Sequence, residues 1–238
     1  MIIKPKILGI TLARGGSKSI PRKNIKSILG KPLIAHTIIE AKKSKFISKY
    51  IVSTDDEEIK NICIKYGAEV PFIRPAVFAT DEATSSDAIK HAVQYVENKD
   101  KIQYDYIIEL MCTNPLKTVE DIDACIEKLI VTKADSVIAM HKIDDNHPIR
   151  AKKIVNDRIV DFCLTETPET RRQDLKPNAY IRSGSIYALK RDQIIKYNKR
   201  YGSKNSRPYI LPNIRAVNVD TEIDFILAET LLKMRYKH

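Results

Sequence analysis

Short apolar runs alternate along this chain with stretches in which apolar residues recur every three or four positions. The first run, Ile7 to Ala13, predicts a buried strand. Pro32 to Lys45 predicts a helix, with Leu33, Ile34, Thr37, Ile38 and Ala41 on one face and Pro32 in its first turn. Tyr50 to Thr54 is a short strand. Asp55-Asp56-Glu57-Glu58 then places carboxylates at the start of a helix that runs to Tyr66 and ends at Gly67. Glu69 to Ile73 predicts another strand. Thr84 or Ser85 caps a helix to about Val96, with Ala88, Ile89, Ala92 and Val96 inward.

Tyr104–Leu110 (strand), Val119–Thr132 (helix) and Asp135–Met140 (strand) continue the alternation. This order predicts an α/β fold with a parallel sheet covered on both faces. Ligands of such sheets gather beyond the carboxyl ends of the strands. The residues after Ala13, Ser53-Thr54-Asp55 and Cys112-Thr113-Asn114 should therefore share one rim.

Residues 142 to about 178 have weaker periodicity and many charges, including a Thr-Pro-Glu-Thr-Arg-Arg segment, and read as an excursion from the sheet. Within them Ile154-Val155 and Ile159-Val160, separated by Asn156 to Arg158, predict a β-hairpin. Tyr180 to Leu189 returns to strand, Asn198 to Pro212 reads as a polar loop, Ile214 to Val219 as a last strand, and Thr221 to Tyr236 as a terminal helix.

The chain has 238 residues, 43% hydrophobic and 30% charged, the composition of an ordinary globular protein. No apolar run is long enough to span a membrane, and Met1 to Lys6 lacks the zones of a signal peptide, so the expected location is the cytoplasm. Cys63, Cys112, Cys125 and Cys163 form no CxxC pair and read as buried free thiols. The net charge of +11 is scattered over helix surfaces among glutamates, without a basic block carrying interleaved aromatics. That pattern argues against a nucleic-acid partner and fits a lysine-rich surface plus an anionic small substrate.

The first strand opens into Gly15-Gly16, followed by Lys18, Arg22 and Lys23, with Arg14 just before. Bare backbone amides and clustered cations after a core strand make an anion site. Neither GxxxxGK[ST] nor GxGxxG is present, which disfavours a P-loop NTPase or a dinucleotide dehydrogenase. Near the other end, Asp220 lies at the start of the last helix, where it or Thr221 caps the helix. A cationic loop and an isolated carboxylate at one rim suit metal-assisted nucleotidyl transfer, with the loop on the triphosphate and the carboxylate on the metal. His91 falls near the inner face of its helix and reads as a structural histidine. His141 and His147 lack the partners of a metal site.

Ala13-Arg-Gly-Gly-Ser-Lys18 followed by Ile20-Pro-Arg-Lys-Asn24 resembles the signature of the acylneuraminate cytidylyltransferases, the CMP-sialic acid synthetases. Further blocks follow in family order: Ile51–Asp56, Arg74-Pro75, Ser85-Ser86, Thr113–Thr118, Arg171–Leu175, Ser183–Tyr187 and Val219–Glu222. The resemblance implies a three-layer fold with a mostly parallel, Rossmann-like nucleotidyltransferase sheet. Residues 1–141 and 179–238 would form this domain, and 142–178 an inserted dimerisation and sugar-site arm. It implies a homodimer that joins CTP to a 2-keto-3-deoxy nonulosonic acid, with Mg²⁺, or Mn²⁺ in its place, as cofactor.

Carried over, Arg14 and Lys23 would contact the triphosphate, with Ala13, Gly15, Lys18 and Asn24 beside them. Arg74 and Ser85 would meet the cytidine, and Met111, Thr113, Arg150, Arg172 and Tyr187 the sugar. Asp220 and Asn218 would hold the metal. Sialic acid enzymes commonly carry Gln-Pro-Thr-Ser-Pro where this chain has Met111-Cys-Thr-Asn-Pro115, and Asn-Gly where it has Ser183-Gly184. Some pair two aspartates where it has Asn218 and Asp220. These departures leave the sugar open between N-acetylneuraminate and a legionaminate- or pseudaminate-type acid. The alternative reading is a related nucleotidyltransferase for 3-deoxy-manno-octulosonate or a sugar phosphate.

Overall fold

The structure, a computed structural model, describes residues 4–143, 145–167 and 170–236. Met1 to Ile3, part of the N-terminal reading, and Pro168 and Glu169 of the Thr-Pro-Glu-Thr segment lie outside the described residues. The first half of the chain forms β1 (Ile7–Leu12), the two-residue strands β2 (Ser27–Ile28) and β3 (Lys31–Pro32), α1 (Leu33–Lys43), β4 (Lys49–Ser53), α2 (Glu57–Lys65) and α3 (Ser85–Asp100). Then come β5 (Tyr106–Leu110), α4 (Val119–Thr132), β6 (Ser136–Ile143), β7 (Lys152–Val155) and β8 (Arg158–Asp161). The chain closes with β9 (Ala179–Lys190), α5 (Arg191–Ile195), β10 (Ser206–Ile210) and α6 (Glu222–Tyr236).

Six strands make one sheet in the order β10-β6-β9-β5-β1-β4. β1 runs parallel to β4 and β5, and β10 parallel to β6. β9 runs antiparallel to both of its neighbours, so the sheet is mostly parallel, as the alternation predicts. Helices α1, α2 and α4 send Ile34, Ile38, Ile59 and Ile126 onto one face, against Ile7, Val52 and Ile108. Helix α3 sends Ile89, Ala92, Val93 and Val96 onto the other, against Leu8, Ile10 and Ile107. Burial on both faces is why β1 reads as a continuous apolar run. A smaller cluster packs Phe225, Ala228 and Leu232 of α6 against Ile20, Ile28, Leu33 and Val219. This cluster brings the end of the chain beneath the loop that follows β1.

Several expectations change. Glu69 to Ile73 makes only two isolated bridges, Ile51 to Glu69 and Thr54 to Ile73, beside the edge strand β4. The polar stretch Asn198–Pro212 contains β10, which the sequence reading missed because Pro208 and Arg207 break the apolar pattern. β10 is an edge strand, where a proline without an N–H is tolerated. Ile214 to Val219 is not a strand: Asn213–Arg215 is a 3₁₀ turn, Ile214 is exposed, Ala216 joins the main core, and Val217 and Val219 pack on the α6 cluster. The hairpin is present as β7 and β8, with Asn156 and Asp157 both at positive φ (50° and 59°), as a tight two-residue turn requires. Cys163 is exposed; only Cys63, Cys112 and Cys125 are buried. Among the described residues no helix is long and apolar enough to cross a membrane.

The segment after β10 is tied down by one carboxylate. Asp121, fully buried, closes the capping box of α4 with Thr118. It also accepts from Arg215 Nε (3.0 Å) and Nη2 (2.8 Å) and from the Tyr209 hydroxyl (3.0 Å). Asp121→Ala removes the cap partner and strands the guanidinium. It should destabilise the fold by roughly 3 kcal/mol, read as a lower urea midpoint, with Asp121→Asn retaining part of that stability.

Candidate functional site

The carboxyl ends of β1 and β5 open on a cleft of about 490 Å³; Ser53-Thr54-Asp55, after β4, do not line it and instead hold the loop after β1 from below. The cleft floor is Leu12, Met111, Cys112 and Glu109, and its walls are the β1 loop, residues 78–85 and Asp220. Of the predicted site residues, Arg14, Lys18, Lys23, Asn24, Arg74, Ser85, Met111, Thr113 and Asp220 all line it.

The β1 loop is held in shape from below. Ala13 N–H donates to Ser53 O (3.0 Å), and Gly15 N–H to Asp55 Oδ1 (3.1 Å). A Cβ on Gly15 would stand 2.8 Å from Asp56 Oδ2, so only glycine allows the loop to lie this close to α2. Asn24 Nδ2 donates to Arg14 O (2.9 Å), and Cys112 Sγ donates to Asn24 Oδ1 (3.1 Å). Asp56 caps α2 by accepting from Ile59 N–H (2.9 Å), the helix-terminal role expected from the sequence. Arg22, at positive φ, donates to both Asp56 oxygens.

The cations stand on the cleft side. Arg14 Nη1 donates to Asp81 Oδ1 (2.9 Å), and Lys18 Nζ pairs with Asp81 Oδ2 (2.5 Å). Lys23 Nζ donates to Val219 O (2.8 Å) and to Asp220 Oδ1 (3.1 Å). Arg74 is buried, with Nη2 3.4 Å from Asp55 Oδ1 and an Nε that has no hydrogen-bond partner. Burial lowers its pKa, against the opposing pull of Asp55. Thr84 is the α3 cap, accepting from Asp87 N–H (3.1 Å), which leaves the Ser85 hydroxyl at the cleft. The Thr113 Oγ1 is buried at the wall without a hydrogen-bond partner.

Asp220 is not the helix cap. Thr221 takes that part, its Oγ1 accepting from the Asp224 amide (3.3 Å), while the Asp224 carboxylate accepts in return from the Thr221 and Asp220 amides (2.7 and 3.1 Å). The Asp220 carboxylate is left for Lys23 and for Asn218 Nδ2, which donates to its Oδ2. Asn218 Oδ1 is buried beside Gly184 with no hydrogen-bond partner. The Asp220 carboxylate, 65% exposed, is a hard oxygen donor of the kind a divalent cation takes together with phosphate and water, whereas Asn218 turns its Nδ2 and not its Oδ1 to that side. Among the described residues no three His, Cys, Asp or Glu side chains converge as a metal cluster.

Arg150, Arg172 and Tyr187 lie elsewhere. Arg150 sits at the base of the arm, donating to Thr170 O (3.1 Å), with Glu166 beside it at 3.7 Å. Arg172 pairs with Asp145 (2.9 Å). Tyr187 is buried in the α3-side core, with the Arg200 guanidinium 4.7 Å above its ring. His91 packs between Phe72 and Phe78 (4.9 and 5.0 Å), and burial lowers its pKa; its Nδ1 has no partner, so it is an aromatic filler and not a hydrogen-bonded core histidine.

Two cleft features were missed from sequence. Glu109 is a buried carboxylate at the end of β5 whose pKa burial raises, with Arg200 opposing at 2.7 Å. Its signal was a lone acid in the apolar run Ile107–Leu110. Lys117 is a buried lysine behind the Met111–Asn114 turn, and burial pushes its amine down to about 7.

A sheet-rim cleft with a cationic loop on one side and an opposed carboxylate on the other is the arrangement of a nucleotidyltransferase. A family described as cytidylyltransferase matches residues 8–235. The chain is 33% identical over 239 residues to a pseudaminic acid cytidylyltransferase of Campylobacter jejuni, covering 98% of each. It is 31% identical over 242 residues to a CMP-N,N'-diacetyllegionaminic acid synthase of Legionella pneumophila, covering 96% of this chain and 97% of that one. A solved CMP:2-keto-3-deoxy-manno-octonic acid synthetase complexed with CTP shares the fold, with a TM-score of 0.71 and 20% identity over 97% of this chain and 99% of that one. The chain belongs to the cytidylyltransferase family and is a nucleotidyltransferase.

The Arg22 pair gives the loop a pH signature. Hydrogen bonding by Arg22 holds the Asp56 carboxyl below its usual range. A depressed folded pKa means that the stabilisation is present above the unfolded value, about 4, and is lost as pH falls through the folded value. Arg22→Ala should therefore be less stable than the parent at pH 7. The gap should narrow below about pH 4, as read by denaturant titration across pH.

Proposed function

We propose that the protein transfers the cytidylyl group of CTP to a 2-keto-3-deoxy nonulosonic acid of the legionaminate, pseudaminate or N-acetylneuraminate type, releasing pyrophosphate. The observation that carries this reading is the convergence of Arg14, Lys18 and Lys23 with Asp220 across one cleft, in a chain whose relatives are named for such acids. The anomeric hydroxyl of the acid would form the new bond to the α-phosphorus as the bond to the bridging α–β oxygen breaks. The hydroxyl supplies the nucleophile, so no protein side chain has to become covalently attached.

Arg14 and Lys18 would leave Asp81 for the triphosphate. Both pairs with Asp81 are exposed, and such pairs are worth about 1 kcal/mol or less. Lys23, with Asn24 holding the loop, would meet the charge that develops on the leaving pyrophosphate. The Ala13 and Gly15 amides are already taken by Ser53 O and Asp55, so these two residues would act by fixing the height of the loop beside the phosphates. Arg74 and the Ser85 hydroxyl would border the cytidine. Met111 and the unpartnered Thr113 hydroxyl would face the acid. Asp220, joined by Asn218 once its amide turns its oxygen to the same side, would hold Mg²⁺, or Mn²⁺ in its place. Such an ion neutralises phosphate charge and orients the reacting oxygens.

The arm supports a homodimer. Its hairpin leaves Ile154 and Ile159 69% and 74% exposed, and Phe162 64% exposed, a surface that a second copy would cover. Arg150 and Arg172 are assigned to the acid on the family resemblance, reaching it across that dimer; Tyr187, buried in the core, is left without that contact. Free CTP places the reaction in the cytoplasm, and no nucleic acid enters it. The octulosonate alternative rests on likeness of fold alone.

Pyrophosphate release with CTP, Mg²⁺ and a panel of nonulosonic acids tests the reading; no release with any of them overturns it. Lys23→Ala and Asp220→Ala should each lower turnover roughly 10²-fold or more while the unfolding transition stays in place. Near-parent turnover in either variant removes that residue from the mechanism.

A further inference from the structure

Lys117 is fully buried, yet among the described residues no carboxylate accepts from its amine. An unpaired buried ammonium is costly, so a lysine here calls for a reason that a methionine of similar shape would not meet. The amine has three oxygen partners: Thr37 Oγ1 of α1 (2.8 Å), Met111 O (2.7 Å) and Asn114 O. Three acceptors match the three N–H donors of an ammonium.

Two of these acceptors are the backbone carbonyls at the two ends of one turn, Met111 to Asn114. The third is a fixed post on a core helix. The other side of that turn faces the cleft, through Met111, Cys112 and Thr113. The same turn also holds the chain end that carries Asp220. Thr113 O accepts from Val219 N–H (2.7 Å), and Asn114 Nδ2 donates to Arg215 O (3.0 Å). Val219 O and Asp220 are in turn the partners of Lys23.

We propose that Lys117 is a positioning residue for the transfer reaction. Its amine draws the Met111–Asn114 turn closed from behind, and so sets Thr113 against the acceptor and Val219-Asp220 against Lys23. It acts on the acceptor side and on turnover, while Arg14 and Lys18, which are held by Asp81 and not by this turn, keep most of the grip on CTP. This role rests on the cytidylyl-transfer reading above.

Lys117→Met fills the same space without the donors. Replacing a buried charge by an apolar side chain of similar volume is commonly neutral or stabilising, so the variant should unfold at or above the parent temperature. CTP affinity, measured by calorimetry, should stay within about threefold. The kcat/KM for the acid should fall roughly 10- to 100-fold, the effect of losing charge-assisted hydrogen bonds that hold a site. Lys117→Arg, which keeps donors for the two carbonyls, should recover part of it. Hydrogen exchange supplies a readout independent of activity: the Val219 and Met111 amides should exchange faster in Lys117→Met, and the Ala13 and Gly15 amides at the parent rate.

Parent-like kcat/KM in Lys117→Met overturns the proposal. So does a parallel loss of melting temperature, CTP binding and acid use, which would make Lys117 a general stabiliser. If the parent protein itself transfers to no acid, the cytidylyl reading fails. The exchange experiment then decides Lys117 separately: unchanged Val219 exchange overturns its positioning role.

Discussion

One amine joins the two ends of this chain at the site. Lys23 Nζ donates to a carbonyl and a carboxylate, Val219 O and Asp220 Oδ1, that lie nearly the whole chain away in sequence. The contact sits where the loop after β1 meets the start of α6, and the side chain of Lys23 is mostly buried there. Partial burial strengthens the attraction over an exposed pair and fixes the distance between cationic wall and acidic wall. The small apolar cluster beneath, with Ile20, Val219 and Phe225, keeps the two segments in reach of each other. Without it the glycines and cations of the first loop would have nothing to face.

The rest of the cleft is arranged around that span by acids that hold its cations and amides. Asp55 links the Gly15 amide to Arg74, and Asp56 links Arg22 to the first turn of α2. Each serves two partners, so the loop carries its positive charge without drifting from the sheet. Asp81 has a looser part. It sits half-exposed between Arg14 and Lys18, in the region a phosphate would claim, and holds those side chains near one another.

Much of this was legible in the sequence, and the reasons are local. β1 and the loop after it announced themselves because an apolar run ends directly in two glycines and a string of cations. The helices α1 and α3 declared their inner faces by spacing, and α2 its limits by carboxylates at one end and Gly67 at the other. β10 was hidden because an edge strand can carry Pro208 and Arg207 without breaking a core. The segment from Ile214 to Val219 looked like a strand because it is mostly apolar, but Val217 and Val219 pack on the α6 cluster, and Ile214 is exposed. Glu109 and Lys117 escaped for a different reason. Each is a charge in an apolar stretch, and its meaning depends on groups far along the chain: Arg200 for the acid, Thr37 for the amine. Arg74 and Ser85 were placed only through family likeness, since nothing in their own surroundings marks them.

The reversed strand β9 has a consequence for how such a molecule can change. β6 leaves the sheet at Ile143 and β9 re-enters it at Ala179, and the two are paired out to their ends, with Ile143 opposite Ala179. They form the stem of a long hairpin whose tip is everything between. A stem registered in this way tolerates exchange of its tip, because no other strand depends on what the tip contains. The sequence of the protrusion can thus drift while the pairing of β1 with β4 and β5 stays unaltered.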